Sequence, residues 1–311
     1  MQWRIGDITI TTIVEQELGD IATLIPGATA AVLAKVDWLR PDFVDAGGTM
    51  TGLIQAFIVD TPDLTVVVDT CVGNDKERPA IEAWHRQQRR FLEKFEAAGY
   101  PPASIDVVLC THMHFDHVGW NTHLDGGNWK PTFPNARYLF AESEFRHWEK
   151  EVDKPALDPA QATSSEDMLH ALLDGLTRQT RLDSVIPIVE AGLSELVPPD
   201  HHVCPGVHLT PTPGHTPGHV SVVITSRGET AFLTGDAMHH PVQIAVPELF
   251  TIADSSPEGA QRARKEILHQ LADGDTLLIG SHFSAPTAGY VQTDQGGYRL
   301  CGNKCGVAAG A

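Results

Sequence analysis

Alternating apolar and polar positions mark the first third of the chain as strand. Ile8-Thr9-Ile10-Thr11-Thr12-Ile13-Val14 alternates and is rich in β-branched residues; two further runs, 53–59 and 64–69, flank the turn Asp60-Thr61-Pro62-Asp63. Between them and the first run, residues 19–50 carry Gly, Pro and Ala with weak periodicity, which predicts a long excursion able to cover a site as a lid. Residues 79–98 read as one helix, with Pro79 in its first turn, charges along one side, and Gly99 followed by Pro101-Pro102 as its stop. The apolar run Val107-Val108-Leu109-Cys110 predicts a buried strand. Another at 136–140 leads into a helix over 142–151. Met168, Leu169, Leu172, Leu173 and Leu176 recur at three-and-four spacing within 165–183, so 142–183 reads as a helical insertion. The last third repeats a short strand and then a polar loop, with strands at 207–210, 219–225, 230–234 and 276–279 and a helix over 257–272. Without internal repeats or linker-like stretches, 1–311 reads as a single domain of sheets with outer helices.

Composition narrows the function classes. Hydrophobic residues at 42% and charged residues at 20% are ordinary for a globular chain of 311 residues, long enough to bury a real core. The 22 Lys+Arg against 40 Asp+Glu give a net charge of −18, which opposes nucleic acid and leaves a small-molecule substrate as the expected partner. The N-terminus has no apolar run behind a basic start, and no stretch of apolar residues is long enough to span a membrane. Five Cys, an odd number in a long chain, fit a reducing compartment, so cytoplasm is the expected location; Cys301 and Cys305 remain open to metal binding or pairing. The unusual count is 16 His, and what matters is whether they cluster.

They do cluster at strand ends. Thr111-His112-Met113-His114-Phe115-Asp116-His117 follows directly on the strand 107–110. In extended backbone 112, 114 and 116 share one side and 117 faces away; a turn into helix at Asp116-His117 lets all four converge. Three more candidates stand in the same context. His215 lies in the Pro213-Gly214-His215-Thr216-Pro217-Gly218-His219 loop, Asp236 follows Gly235 after the strand 230–234, and His282 follows the strand 276–279. Four strand ends can meet along one edge of a sandwich. Five His and two Asp exceed what one tetrahedral zinc needs and suit two divalent ions sharing a bridge. Imidazole and carboxylate without thiolate favour zinc, with manganese, iron or cobalt as alternatives. Two such ions outweigh Asp116, Asp236 and a bridging hydroxide, leaving positive charge for an oxyanion, and zinc lowers the pKa of bound water to about 7. Phe115 and Trp120 flank the signature and His239-His240 follow Asp236, which makes these four candidates for a substrate pocket.

His112-Met113-His114-Phe115-Asp116-His117 resembles the HxHxDH signature of the metallo-β-lactamase superfamily, and His215, Gly235-Asp236 and His282 follow in the expected order. The resemblance implies an α/β fold: a four-layer αβ/βα sandwich of two mixed β-sheets flanked by helices, with the metal site at one edge. By motif position, His112, His114 and His215 would hold the first metal and Asp116, His117 and His282 the second, with Asp236 bridging. Asp69 resembles the early Asp that supports the site from behind. Within the superfamily the chain resembles the lactonase and esterase branch and the organophosphate-hydrolase branch. The implied activity is attack of a metal-bridging hydroxide on an ester or lactone carbonyl, with Asp116 and Asp236 as the catalytic carboxylates. The alternatives are hydrolysis of an aryl ester or phosphotriester and, from another reaction class, iron-dependent oxygenase or redox chemistry on the same fold. One departure stands out: acyl-homoserine lactonases often carry a Tyr beside the bridging water, and none occurs here between Tyr138 and Tyr290. A homodimer is the expectation the resemblance gives for oligomeric state.

Overall fold

The computed structural model describes residues 1–303, so Cys305 lies outside the described residues. Two seven-stranded sheets carry the fold. The first takes β1 (Gln2–Ile5), β2 (Ile8–Leu18), β3 (Gly52–Asp60), β4 (Thr65–Val68) and β5 (Val107–Cys110). A separate hairpin, β6 (Thr122–Asp125) and β7 (Asn128–Pro131), intervenes before β8 (Arg137–Ala141) and β9 (Ser194–Val197) complete that sheet. Neighbours pair antiparallel from β1 to β4 and parallel from β4 through β5 and β8 to β9. The second sheet runs in chain order through β10 (His202–Cys204), β11 (Val207–Pro211), β12 (Val220–Ser226), β13 (Glu229–Leu233), β14 (Thr276–Ile279), β15 (Ala288–Asp294) and β16 (Gly297–Cys301). Its one parallel step joins β13 to β14.

The side-chain pattern explains the layering. Val66, Val68, Val107 and Leu109 point into the core between the sheets, together with Ile8, Ile10, Val222 and Ile279. Val67, Val108 and Cys110 point the other way, under the helices, with Phe91, Phe95 and Phe145. Strands buried on both faces read as unbroken apolar runs, which is why 107–110 shows no alternation. A third core lies outside the second sheet, beneath the Pro257–Leu271 helix. Helix, sheet, sheet, helix: the expected four-layer sandwich of mixed sheets is observed. No helix among the described residues is long and apolar enough to cross a membrane.

Three segments differ from the pattern-based expectation. Residues 79–98 are not one helix; a 3₁₀ turn at Glu82–Trp84 and a short helix at Phe91–Ala97 are separated by irregular chain. Arg86, at φ 49°, donates its N–H to Lys76 O, and Gln87 O accepts from Asp75 N, so 85–87 is strung along 73–76 instead of coiling on itself. The insertion contains helices Glu142–Asp153 and Ser165–Thr180, but the second passes into a π turn at Arg181–Val185. Most of its apolar stripe is not core: Leu169 and Leu173 keep 36% and 39% of their surface exposed, and of the stripe only Leu176 is buried. Residues 19–50 hold Ile21, Ile25, Leu39, Phe43 and Met50 in the third core, packed with Met238, Val242 and Phe283.

Candidate metal centre

The C-terminal ends of the parallel strands β4, β5, β13 and β14 lie at one edge, where open α/β sheets place their sites. After β5 the chain bends at Thr111 and His112, and His114 is extended (φ −67°, ψ 156°). The single helical turn Phe115–Val118 then brings Asp116 and His117 to the side of His112. After β13 the chain turns at Gly235, φ 53°, where a Cβ would stand 2.6 Å from His219 Nε2; only glycine leaves that room. His219 explains the close approach. Its Nε2 accepts the Asp236 backbone N–H at 2.8 Å while Nδ1 donates to Thr212 Oγ1 at 2.8 Å, so the imidazole fixes the backbone of Asp236.

The seven motif residues fall into two groups. Ligand atoms of His112, His114, His215 and Asp236 lie within 4.8 Å of one another, and so do those of Asp116, His117 and His282. Asp236 faces both groups. Its Oδ2 lies 3.3 Å from His215 Nε2 and 3.3 Å from His117 Nε2, and its Oδ1 lies 3.1 Å from His282 Nε2.

The donor set fits cations. His114 Nδ1 faces His112 Nε2 at 3.0 Å and His215 Nε2 at 2.9 Å, so three ring nitrogens converge where one proton could satisfy two of them at most. Asp236 Oδ1 is buried without a hydrogen-bond partner, the nearby His282 nitrogen being poorly aligned for one. The far ring nitrogens are anchored. His117 Nδ1 donates to Asp69 Oδ2 at 2.8 Å, His215 Nδ1 to Asp254 Oδ1 at 2.9 Å, and His282 Nδ1 to Leu53 O at 2.9 Å. Carboxylates and carbonyls only accept, so each of these Nδ1 atoms carries a proton and Nε2 is the ring atom that faces the site. Asp69 also accepts the Thr111 backbone N–H at 2.8 Å, tying the end of β4 to the end of β5.

The electrostatics divide the groups. Burial, and then neighbouring imidazoles, push His112 and His114 well below the usual histidine range. Burial acts the same way on His117 and His282, but the carboxylates of Asp236 and Asp116 outweigh it, with Asp69 adding at His117, and both histidines are raised. Burial would raise Asp236; the surrounding imidazoles hold it well below the carboxylate range instead. Asp254, likewise opposed by burial, is brought to about 2 by its bond to His215.

Of the pocket candidates, two stand near the site and two do not. Phe115 lines a cleft of about 850 Å³ beside His114, with Trp148, Leu169, Leu173, Leu176 and Ile252 among the other walls. His239 Nε2 lies 3.0 Å from Asp236 Oδ2. Trp120 is core: it stacks on Phe91 and donates Nε1–H to Glu15 Oε1 at 2.6 Å. His240 is also buried away from the cleft, donating Nε2–H to Phe43 O at 2.9 Å and accepting from Val242 N at 3.0 Å; burial brings it to about 4. The pattern along the chain pointed to neither Asp254 nor Glu144, and His219 appeared only as part of its loop.

Comparison with known proteins bears on the family and the fold. The family model of the metallo-beta-lactamase superfamily matches residues 50–282. An N-acyl homoserine lactonase of a Bacillus species is 27% identical over 154 residues, 49% of this chain and 46% of the lactonase. The chain therefore spans about half the length of such curated relatives. A probable metallo-hydrolase of Mycobacterium tuberculosis is 25% identical over 251 residues, 74% of each protein. Among solved structures, the hydrolase AbOPH, described as a member of the beta lactamase superfamily, superposes with a TM-score of 0.75 at 24% identity, covering 96% of both chains. AidC, described as a dizinc quorum-quenching lactonase and solved with its product, gives 0.73 at 20% identity, covering 98% of this chain and 97% of AidC. These two likenesses concern the fold.

Proposed function

This chain belongs to the metallo-beta-lactamase superfamily, and from that premise we propose that it is a metal-dependent hydrolase of an ester or lactone whose apolar part lies in the cleft beside His114. One observation carries the reading: six further ligand residues gather in two groups around the shared carboxylate of Asp236. His112, His114 and His215 would hold one divalent ion and Asp116, His117 and His282 a second, with Asp236 common to both. Zinc foremost, such ions supply a hydrolytic nucleophile at neutral pH and positive charge for a carbonyl oxygen.

The chain's own residues do the rest. Asp69, Asp254 and the Leu53 carbonyl keep three imidazoles in one tautomer and one orientation. Phe115, Trp148 and the leucines of the Ser165–Thr180 helix offer an apolar wall that orients a neutral tail and excludes water. Lys154, in the same wall, pairs with Glu151 at 2.6 Å. His239, beside Asp236, completes the polar side of the site.

Assaying the metal-loaded protein against N-acyl lactones, aryl esters and phosphotriesters tests the reading. Turnover of a lactone or ester is expected, together with a loss of more than about a hundredfold and a lower metal content in Asp236→Asn. Turnover confined to phosphotriesters would change the substrate class. Oxygen-dependent turnover by the iron form, with none by the zinc form, would overturn hydrolysis altogether.

A further inference from the structure

We infer that Glu144 is a positioning residue whose carboxylate clamps the two loops bearing His112, His114 and His215 to each other and to Trp148 in the cleft wall. The inference rests on the metal-dependent reading above and extends it to a side chain in neither ligand group. Glu144 stands in the first turn of the Glu142–Asp153 helix and is 1% exposed. Among the described residues no lysine, arginine or histidine forms an ion pair with it. Four donors take that place. Oε1 accepts the Met113 backbone N–H at 3.0 Å and the Trp148 Nε1–H at 2.6 Å. Oε2 accepts the Thr216 hydroxyl at 2.7 Å and the Gly218 backbone N–H at 3.0 Å.

The location of these donors gives the bonds their meaning. Met113 separates His112 from His114, and Thr216 follows His215 directly, so one carboxylate spans all three histidines of the first group. The 213–219 loop is pressed onto the helix: a Cβ at Gly218 would lie 2.2 Å from Glu144 N. The Trp148 ring, held by the same carboxylate, stands 5.5 Å from the His114 ring. A buried carboxylate is costly unless its lone pairs are engaged, and here both oxygens accept twice. The adjacent Phe145 already packs the helix into the outer core, so the polar bonds of Glu144 are spent on the ligand loops and the cleft wall. Glutamine would fill the same space, but its NH₂ would face either Met113 N–H with Trp148 Nε1–H, or Gly218 N–H, and release one side of the clamp.

Zinc binding to wild type and Glu144→Gln, followed by chelator competition with circular dichroism as the check on folding, tests this. Wild type should take up two equivalents; if it takes up none, the metal-dependent reading falls and this inference with it. In the folded variant, one equivalent should weaken by about tenfold or more while the other is retained, and KM for a long-tailed substrate should rise more than kcat falls. Wild-type affinity for both equivalents, with or without a lower Tm, would overturn the inference. If Glu144→Gln does not fold, Thr216→Val removes a single donor: a severalfold weakening of one equivalent is expected, and unchanged binding is the overturning result.

Discussion

His215 and its acceptor show how far single residues can be read. His215 stands out in the sequence because glycine and proline frame it after a strand; Asp254, its partner at 2.9 Å, is 39 positions away in an unremarkable loop. Asp254 also accepts the Thr251 backbone N–H at 2.9 Å and is held at about 2, so it is an anion at neutral pH. Asp254→Asn keeps the shape and removes the charge that fixes the His215 tautomer. Metal affinity, measured by chelator competition, should fall about tenfold to a hundredfold; unchanged affinity would mean that the backbone alone orients His215. The same contrast holds across the site. The motif positions were legible because they occupy strand ends at characteristic spacing, whereas Asp254, Glu144 and His219 act through contacts that only the folded chain creates. Trp120 and His240 mark the opposite limit, since adjacency to a motif in sequence did not bring either to the cleft.

At the scale of elements, the misread segment 79–98 is the instructive one. Its charges have helical spacing, yet the chain leading into it buries its own. Arg78 makes paired bonds to Asp183, Nη1 to Oδ2 at 2.7 Å and Nη2 to Oδ1 at 3.0 Å. Lys76 Nζ donates to Thr122 Oγ1 at 2.6 Å and to Asp183 O at 2.9 Å, and sits 3.7 Å from the Trp129 ring centroid. Three elements meet there: the strap 73–90, the hairpin β6–β7 and the π turn at Arg181–Val185, which Asp183 joins to the other two. A helix predicted from local periodicity loses to long-range bonds of this kind, and the π turn has no local signature at all. Burial lowers Lys76 from 10.5 to about 7. Between those values the unfolded chain binds one proton more than the native one, so this group's contribution to stability grows as pH rises and is least favourable below about 7. Lys76→Met removes the dependence. The stability of wild type relative to the variant, from denaturant titrations, should climb by up to about 1.4 kcal/mol per pH unit between pH 7 and 10. A flat difference would show that Lys76 stays charged throughout.

For the molecule as a whole, the central strands were legible as β-branched and apolar runs, whereas their assembly into a four-layer sandwich was legible only through the motif and its resemblance. The edge strands β10 and β16, the strand β15 beside β16 and the hairpin β6–β7 were not legible, being short or largely polar, although each pairs with a neighbour only a few residues away. That same topology gives the metal centre a mechanical role. His112, His114, Asp116 and His117 belong to the end of the first sheet, whereas His215, Asp236 and His282 belong to the second, so filling the centre cross-links the two halves of the fold. A ligand that binds only the native state at a thousandfold over its Kd adds about 4 kcal/mol of stability. With roughly 2–4 °C per kcal/mol for a domain near this size, saturating zinc should raise Tm by roughly 10 °C over chelated protein in a thermal scan. Asp236→Asn should lose most of that rise, because in the proposed site the shared carboxylate would let both sheets grip the same pair of ions. Equal Tm values with zinc and with chelator would show that the two halves are held together by their apolar interface alone and that these side chains grip no ion.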